Sequence, residues 1–248
     1  MIKFFKKILN RCLFYDRWTC NACKKEIFNG YFCSECLKEI EYIAENKCLH
    51  CGRITPYKVA FCDSCIEKNI SFDRAFSVFN YKPPVSSLIQ NLKYQGDKYI
   101  ANYFASEMSS LYKREKIKVD GILFVPMHQD RLEERKFNHA KVIAEELSNL
   151  IGVEILDCIT KVKETERQVK LSLKERLENL SSSFKVDKKQ VEGKDLLLID
   201  DVLTTGATAE TISKLLKKKG AKSVTVLTVA SVSKFKNHKN STQNEQNL

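Results

Sequence analysis

The chain has 248 residues, of which 43% are hydrophobic and 29% are charged, a balance typical of folded globular proteins. This composition excludes a wholly disordered chain, a collagen-like repeat and a coiled coil. The net charge is +11, with +4 on residues 1–19, no net charge on 20–65 and +7 spread over 66–248. A basic chain favours polyanionic partners such as nucleic acid, but diffuse surface lysine also serves solubility alone.

The first 19 residues form a basic amphipathic segment. Its apolar face predicts docking on a membrane surface, on a partner or, in our preferred interpretation, on the chain's own core. The residues of this face are Ile2, Phe5, Ile8, Leu9 and Cys12. Basic residues interrupt the segment too often for a signal peptide, and no stretch approaches the roughly 20 apolar residues of a membrane span. We therefore expect no transmembrane segment and a cytoplasmic protein.

Four Cys-x-x-Cys pairs mark a module over residues 20–66. Two such turns can complete a tetrahedral thiolate site, so the spacing predicts two structural Zn²⁺ sites. A disulfide framework would need an oxidising compartment, and a thioredoxin-like protein needs one such pair rather than four. Pairing neighbours gives Cys20, Cys23, Cys33 and Cys36 as one site and Cys48, Cys51, Cys62 and Cys65 as the other, with an interleaved arrangement left open.

Strand and helix patterns alternate over residues 70–232. Short apolar runs predict strands at 73–80, 121–125, 153–156, 196–199 and 223–232. Helical periodicity predicts helices after the Pro83-Pro84 pair and at 97–113, 138–150 and 207–219. Such alternation with short connections indicates an α/β domain built on a parallel sheet. The polar residues 233–248 are expected to form a disordered tail.

A polar turn follows the predicted strand 196–199. Asp200 and Asp201 emerge at the carboxyl end of that strand, where open α/β sheets bind ligands. The next residues offer hydroxyls and backbone N–H groups at a helix N-terminus, a cradle for a phosphate. These residues are Thr204, Thr205, Gly206, Ala207 and Thr208. Carboxylates beside a phosphate cradle predict a sugar phosphate as ligand, with a divalent cation.

Leu196–Thr208 resembles, at all thirteen positions, the phosphoribosyl pyrophosphate (PRPP) signature of type I phosphoribosyltransferases. With the zinc module, the chain is similar to the ComF family of competence proteins. The similarity extends to LKYQGD at 92–97, VPMHQDRLEERKFNHA at 125–140 and RQVKLSLKERLENLSSSF at 167–184. Lys136 and His139 stand where the family usually has Gly and Gln. The resemblance implies a type I phosphoribosyltransferase-like parallel sheet with flanking helices, preceded by a small zinc-ribbon module.

The resemblance also implies roles for individual residues. Asp200 and Asp201 would be the catalytic acids that hold the ribose hydroxyls, with Mg²⁺ accompanying PRPP. The Thr204–Thr208 loop would bind the 5′-phosphate. Met127 and His128 would lie in a loop that faces pyrophosphate, where His128 could bind the diphosphate or act as an acid, although many loop histidines do neither.

Further cations are candidates for phosphate contacts. Arg131 and Arg135 are one helical turn apart and could meet polyphosphate, but exposed charges at this spacing are also common on solvated helices. Lys93 could reach phosphate or remain a surface lysine. The resemblance implies a lid within 161–176, and the alternative is an ordinary linker. The lid candidates are Thr165, Arg167, Gln168 and Arg176.

Three functions remain open at this point. The ComF resemblance implies a PRPP-binding protein of DNA uptake, acting on single-stranded DNA beside a ComFA-like helicase or another competence protein. A working transferase would move ribose 5-phosphate from PRPP to a nucleobase or amine and release pyrophosphate. A binding module would use PRPP as a signal. Aromatic residues of the zinc module could stack on bases or form its small core: Tyr31, Phe32, Tyr57 and Phe61.

Overall fold

The structure is a computed structural model that describes residues 18–67, 70–95, 98–162 and 183–232. Its strands are β1 (Trp18–Thr19), β2 (Glu26–Ile27), β3 (Arg74–Asn80), β4 (Gly121–Phe124), β5 (Ile159–Lys161), β6 (Phe184–Val186), β7 (Asp195–Leu203) and β8 (Ser223–Ser231). Its helices are α1 (Ser34–Lys38), α2 (Asp63–Glu67), α3 (Val85–Gln95), α4 (Lys98–Arg114), α5 (Gln129–Arg135), α6 (His139–Ile151), α7 (Lys188–Val191) and α8 (Ala207–Lys218). The predicted tail, the four lid candidates and most of the N-terminal segment lie outside the described residues.

A parallel four-stranded sheet forms the centre of the molecule, in the order β3-β8-β7-β4. Residues 196–199 of β7 are apolar and buried on both faces, as expected for a strand whose two faces are covered. Leu197 and Ile199 belong to a core cluster with α3, α4 and α6. Leu196 and Leu198 belong to a second cluster with α8 and with Cys48, Cys51 and Cys65 of the cysteine-rich module.

Most of the predicted elements are present, and one differs. The chain at 153–156 makes only an isolated parallel bridge, between Ile122 and Ile155. The N–H of Ile122 donates to Glu154 O (2.8 Å) and the N–H of Leu156 donates to Ile122 O (2.8 Å), after which the chain leaves the sheet edge. The short strand predicted at 153–156 is therefore reduced to a single bridge. The antiparallel pair β5/β6 and the short helix α7 were not predicted.

The cysteine-rich module is attached to the edge of the sheet by backbone hydrogen bonds. The N–H of Ile43 donates to Val78 O (2.9 Å), and the N–H of Asn80 donates to Glu41 O (2.8 Å). At the other end of β3, the N–H of Ala75 donates to His50 O (2.7 Å). The module thus lies against β3 along most of its length. Across the described part of the chain, no helix combines the length and apolar character needed to cross a membrane.

Candidate functional site

Two adjacent carboxylates lie near the carboxyl end of β7. Oδ1 of Asp200 accepts the backbone N–H of Asp201 (2.8 Å), which fixes the first side chain against the second. Asp201 is buried and meets two cationic or polar groups. The ammonium of Lys93 contacts its Oδ2, and Nε2 of His139 lies 3.6 Å from its Oδ1. The acid pair therefore sits between α3 and the start of α6.

The two carboxylates have opposite pKa shifts. Burial raises the pKa of Asp200 well above its ordinary value, and the neighbouring charge of Asp201 adds to the rise. Burial also acts to raise the pKa of Asp201, but the nearby ring of His139 and the charge of Lys93 outweigh it and hold that pKa below its usual range. The pair thus favours one ionised and one protonated carboxyl group in the free protein.

Asn138 positions His139 at the acid pair. Its Oδ1 caps α6 by accepting the N–H of Ala140 (2.9 Å) and of Lys141 (3.3 Å). Its Nδ2 donates to Val125 O (3.0 Å), at the end of β4. One side chain therefore fixes the first turn of α6 to the carboxyl end of β4, next to β7. This bond places the ring of His139 over Asp201.

A cavity of about 410 Å³ opens in front of the acid pair. It lies at the carboxyl ends of β4 and β7, the edge where open α/β sheets bind ligands. Its wall contains both carboxylates and four cationic side chains, so it suits a ligand that carries both hydroxyls and phosphates. These charged lining residues are Lys93, Arg131, Arg135, Lys161, Asp200 and Asp201.

The two arginines of α5 are in different environments at this cavity. Arg131 is exposed, whereas Arg135 is partly buried. The guanidinium of Arg135 lies over the ring of Tyr94, with Cζ 5.2 Å from the ring centroid. Nε of Arg135 is buried without a hydrogen-bond partner among the described residues. Arg135 thus keeps donor capacity for an anion in the cavity.

The Thr204–Thr208 turn connects β7 to α8. Gly206 has a φ of 79°, in the left-handed region that favours glycine, and its carbonyl accepts the N–H of Glu210 (2.8 Å). Oγ1 of Thr205 accepts the N–H of Ala207 (3.3 Å). Thr204 and Thr205 are exposed, and Thr208 lines the cavity. Thr208 therefore brings the start of α8 to the same cavity as the acid pair.

The structure gives His128 a local role. It is the N-cap of α5, where Nδ1 accepts the N–H of Asp130 at 3.4 Å. The same nitrogen lies 3.3 Å from Oδ2 of Asp130. His128 is not part of the cavity wall, whereas its neighbour Met127 is.

The cavity brings together most of the predicted site, and the rest of the Thr204–Thr208 turn adjoins it in sequence. Sequence reasoning did not identify other residues that line it: Gln90, Tyr94, Asn138, His139, Lys161 and Phe184. The sequence does indicate a role for Asn138, since Asn before a helical pattern is a good N-cap. His139 was visible only as a departure from the family pattern. Gly96 and Asp97 of the LKYQGD segment lie outside the described residues.

The eight paired cysteines form two separate clusters. Within each cluster the sulfurs lie within 4.8 Å of one another. The clusters pair sequence neighbours, so the interleaved arrangement is not formed. Their members are Cys20, Cys23, Cys33 and Cys36, and Cys48, Cys51, Cys62 and Cys65.

The sulfur spacing fits a tetrahedral metal site. Four sulfurs at about 2.3 Å from Zn²⁺ would be roughly 3.8 Å apart. The Sγ atoms of Cys23 and Cys33 are 3.7 Å apart, and those of Cys51 and Cys62 are also 3.7 Å apart. Both clusters could therefore hold a structural zinc ion.

The phosphoribosyl transferase domain family model matches residues 138–246. Competence protein F of Haemophilus influenzae is 31% identical over 215 residues, covering 84% of this chain and 87% of that protein. Competence protein ComFC of Streptococcus pneumoniae is 30% identical over 195 residues, covering 77% and 84%. DNA utilization protein YhgH of Escherichia coli K12 is 29% identical over 215 residues, covering 84% and 94%.

Solved structures match part of the chain at low sequence identity and low TM-score. Glutamine PRPP amidotransferase from B. subtilis is 18% identical, with a TM-score of 0.40, and covers 52% of this chain and 26% of that one. Adenine phosphoribosyltransferase from Thermoanaerobacter pseudethanolicus is 16% identical, with a TM-score of 0.37, and covers 55% and 83%. These likenesses are weak. The family model and the parallel sheet together establish the type I phosphoribosyltransferase fold of the larger part of the chain.

Proposed function

The chain belongs to the ComF family of competence proteins, and from this premise we propose that it binds PRPP at the Asp200–Asp201 pair and acts in DNA uptake. The observation that carries this proposal is a cavity whose wall contains two carboxylates, four cations and Thr208 of the phosphate-cradle turn. Carboxylates suit ribose hydroxyls, and the cations suit a diphosphate. PRPP carries both features together with a terminal monophosphate.

Each half of PRPP has its own proposed subsite. The Thr204–Thr208 turn binds the 5′-phosphate through hydroxyl and backbone N–H donors at the start of α8. The diphosphate lies towards Arg131 and Arg135 on α5, with Met127 at the end of β4. Asp200 and Asp201 lie between these two groups and accept the ribose hydroxyls.

The acid pair also fits Mg²⁺, a cation that prefers carboxylate oxygens and phosphate oxygens. Oxygens of Asp200 and Asp201 lie within 4.8 Å of each other and of a nitrogen of His139. We propose that the two aspartates hold Mg²⁺ together with PRPP, and that the ion neutralises the diphosphate when bound. His139 is a poor Mg²⁺ ligand by type, so its proposed role is to orient Asp201, whose Oδ1 lies 3.6 Å from its Nε2.

Calorimetric titration of zinc-loaded protein tests the binding proposal. PRPP, ribose 5-phosphate and pyrophosphate are compared with and without Mg²⁺. We expect PRPP to bind more tightly than either fragment, because it engages both subsites at once. Glucose 6-phosphate is the matched control ligand, since it offers a phosphate and hydroxyls but no diphosphate. A folded protein that binds PRPP no more tightly than pyrophosphate would contradict the proposal.

The DNA-uptake part of the proposal rests on relatives and on charge. Relatives carry the names competence protein and DNA utilization protein. The net charge of +11 suits single-stranded DNA, and Tyr57 and Phe61 expose rings on which bases could stack. Tyr31 and Phe32 instead pack against Tyr103 of α4. Anisotropy of a labelled single strand, with and without PRPP, measures whether DNA binds and whether PRPP changes its affinity.

Other members of the competence machinery complete this proposal. A ComFA-like helicase or another competence protein is the proposed protein partner, from the family membership alone. The proposed location is the cytoplasm, because eight reduced thiolates suit a reducing compartment.

Transfer to an acceptor is a second candidate function. The observation that favours it is Tyr94, whose largely exposed ring lines the cavity beside Arg135 and offers a flat face to a planar nucleobase. Such an enzyme would transfer ribose 5-phosphate to a nucleobase or amine and release pyrophosphate. Acceptor-dependent pyrophosphate release, lost in Asp200→Asn/Asp201→Asn, would support it.

A further inference from the structure

A residue of the cysteine-rich module reaches the proposed phosphate loop. Nη2 of Arg53 donates a hydrogen bond to the backbone carbonyl of Thr204 at 2.9 Å, across 151 residues of sequence. Arg53 is two residues beyond Cys51, and only 6% of its surface is exposed. No resemblance or motif assigns this arginine a role.

The second cysteine cluster holds the backbone of Arg53 rigidly. The N–H of Cys48 donates to Arg53 O (2.9 Å), and the N–H of Gly52 donates to Cys48 O (2.9 Å), which closes the turn around the thiolates. Gly52 has a φ of 68°, and a Cβ there would lie 2.5 Å from Ala75 O. Only glycine allows this close approach to β3. The turn therefore has little freedom to move relative to the sheet.

A second contact fixes the same region of α8. Oε2 of Glu210 accepts the N–H of Ser71 (2.6 Å), and its Oε1 accepts the Ser71 hydroxyl (2.6 Å). The connection between the module and β3 thus holds the first turn of α8, while Arg53 holds the loop just before it. The phosphate loop is supported from the module side at both points.

The charge of Arg53 is also unusual. Within the described residues no carboxylate pairs with it, and its Nε has no hydrogen-bond partner. A buried guanidinium without a counter-ion is unfavourable, because desolvation is not offset by an opposite charge. A phosphate bound in the adjacent loop would supply that opposite charge. The unpaired charge of Arg53 therefore favours an anion bound near the loop that its Nη2 contacts.

We propose that Arg53 is a positioning residue, which links the second cysteine cluster to the phosphate loop and holds that loop in its binding conformation. This inference rests on the proposed function, because it deepens the assignment of the loop to the 5′-phosphate of PRPP. The cysteine module then supports ligand binding directly.

The test compares Arg53→Met with Lys47→Met. Lys47 belongs to the same module and pairs with Glu115 at 3.1 Å, so its variant removes a module contact that does not involve the loop. Zinc content and thermal unfolding are measured first for both variants. We then measure affinities for ribose 5-phosphate and pyrophosphate, and hydrogen exchange of the loop amides without ligand. Arg53→Lys serves as a milder variant if Arg53→Met does not fold.

Arg53→Met is expected to bind ribose 5-phosphate roughly tenfold more weakly, because it loses the charge-assisted hydrogen bond that holds the carbonyl of Thr204. Its pyrophosphate affinity stays unchanged, and its loop amides exchange faster than those of wild type and Lys47→Met. Equal losses for both ligands, or unchanged loop exchange, would overturn the proposal. If wild-type protein binds neither ligand, the proposed function fails, and the exchange rates alone decide whether Arg53 positions the loop.

Discussion

The ammonium of Lys93, on α3, contacts Oδ2 of Asp201, on β7, so the acid pair already has a cation of its own in the ligand-free protein. Nε2 of His139 approaches the other oxygen of Asp201 at 3.6 Å. The buried charge of Asp201 is thereby compensated by Lys93 from α3, and the ring of His139 approaches it from α6. A divalent cation that enters this site competes with the ammonium of Lys93 for Asp201. This competition lowers the expected affinity for the metal ion.

Removal of the Lys93 charge should strengthen Mg²⁺ binding. Lys93→Met keeps the apolar stem but removes the ammonium that competes for Asp201. Two unit charges a few ångströms apart near a protein surface interact by several kcal/mol, so we expect Mg²⁺ to bind ligand-free protein roughly tenfold or more tightly. Calorimetry with Mg²⁺ alone measures this affinity. Lys82→Met is the control, since Lys82 pairs with Glu41 away from the cavity. Weaker Mg²⁺ binding in Lys93→Met would contradict this account.

Binding of PRPP with Mg²⁺ should release a proton from Asp200. Because its pKa is raised, Asp200 stays protonated in the free protein at pH values between its ordinary pKa and the raised value. A bound cation favours the ionised form and lowers that pKa, so the proton leaves. In this window the observed enthalpy should change with the ionisation enthalpy of the buffer. Asp200→Asn should abolish that dependence. An enthalpy that is the same in all buffers for wild type would contradict the prediction.

Lys136 carries a backbone strain that glycine would relieve. It ends α5 with a φ of 65°, in the left-handed region, where its N–H donates to Leu132 O at 2.7 Å. A residue with a Cβ pays about 1 kcal/mol or more in this conformation. Lys136→Gly should therefore raise the free energy of unfolding by about 1 kcal/mol, as measured by denaturant titration. Lys136→Ala keeps the Cβ and should show no such gain.

The two cysteine clusters should contribute differently to ligand binding. Cys51→Ser removes one thiolate of the cluster that carries Arg53, whereas Cys23→Ser removes one of the other cluster. We expect Cys51→Ser to weaken PRPP binding by roughly tenfold or more and Cys23→Ser to leave it nearly unchanged. Calorimetry on variants that remain folded gives both affinities. Equal effects from the two variants would show that the clusters serve stability alone.

The parts of the site that sequence predicted are local in the chain. The acid pair and the Thr204–Thr208 turn are separated by only two residues, and a buried strand followed by a helix fixes which sheet edge they occupy. The cysteine pairs are local as well, since sequence neighbours join. Lys136 shows the same principle. The family usually has Gly at this position, and the positive φ of Lys136 gives the backbone reason for that preference.

The parts that sequence missed depend on distant contacts. His139 reaches Asp201 because Asn138 fixes α6 to the end of β4, and nothing in the local pattern indicates that neighbour. Lys161 and Phe184 line the cavity through the β5/β6 pair, whose strands are separated by residues 163–182. The contact between Arg53 and Thr204 spans the module and the sheet, so no periodicity could reveal it.

The central claim is that Asp200 and Asp201 bind PRPP, and titration of Asp200→Asn/Asp201→Asn with PRPP and Mg²⁺ tests it most directly. Asp195→Asn is the matched control, because Asp195 lies at the opposite end of the same strand, where it pairs with Lys222. Thermal unfolding confirms that both variants fold. We predict Mg²⁺-assisted binding in wild type and Asp195→Asn and its loss in the double variant. Unchanged PRPP affinity in a folded double variant would contradict the account.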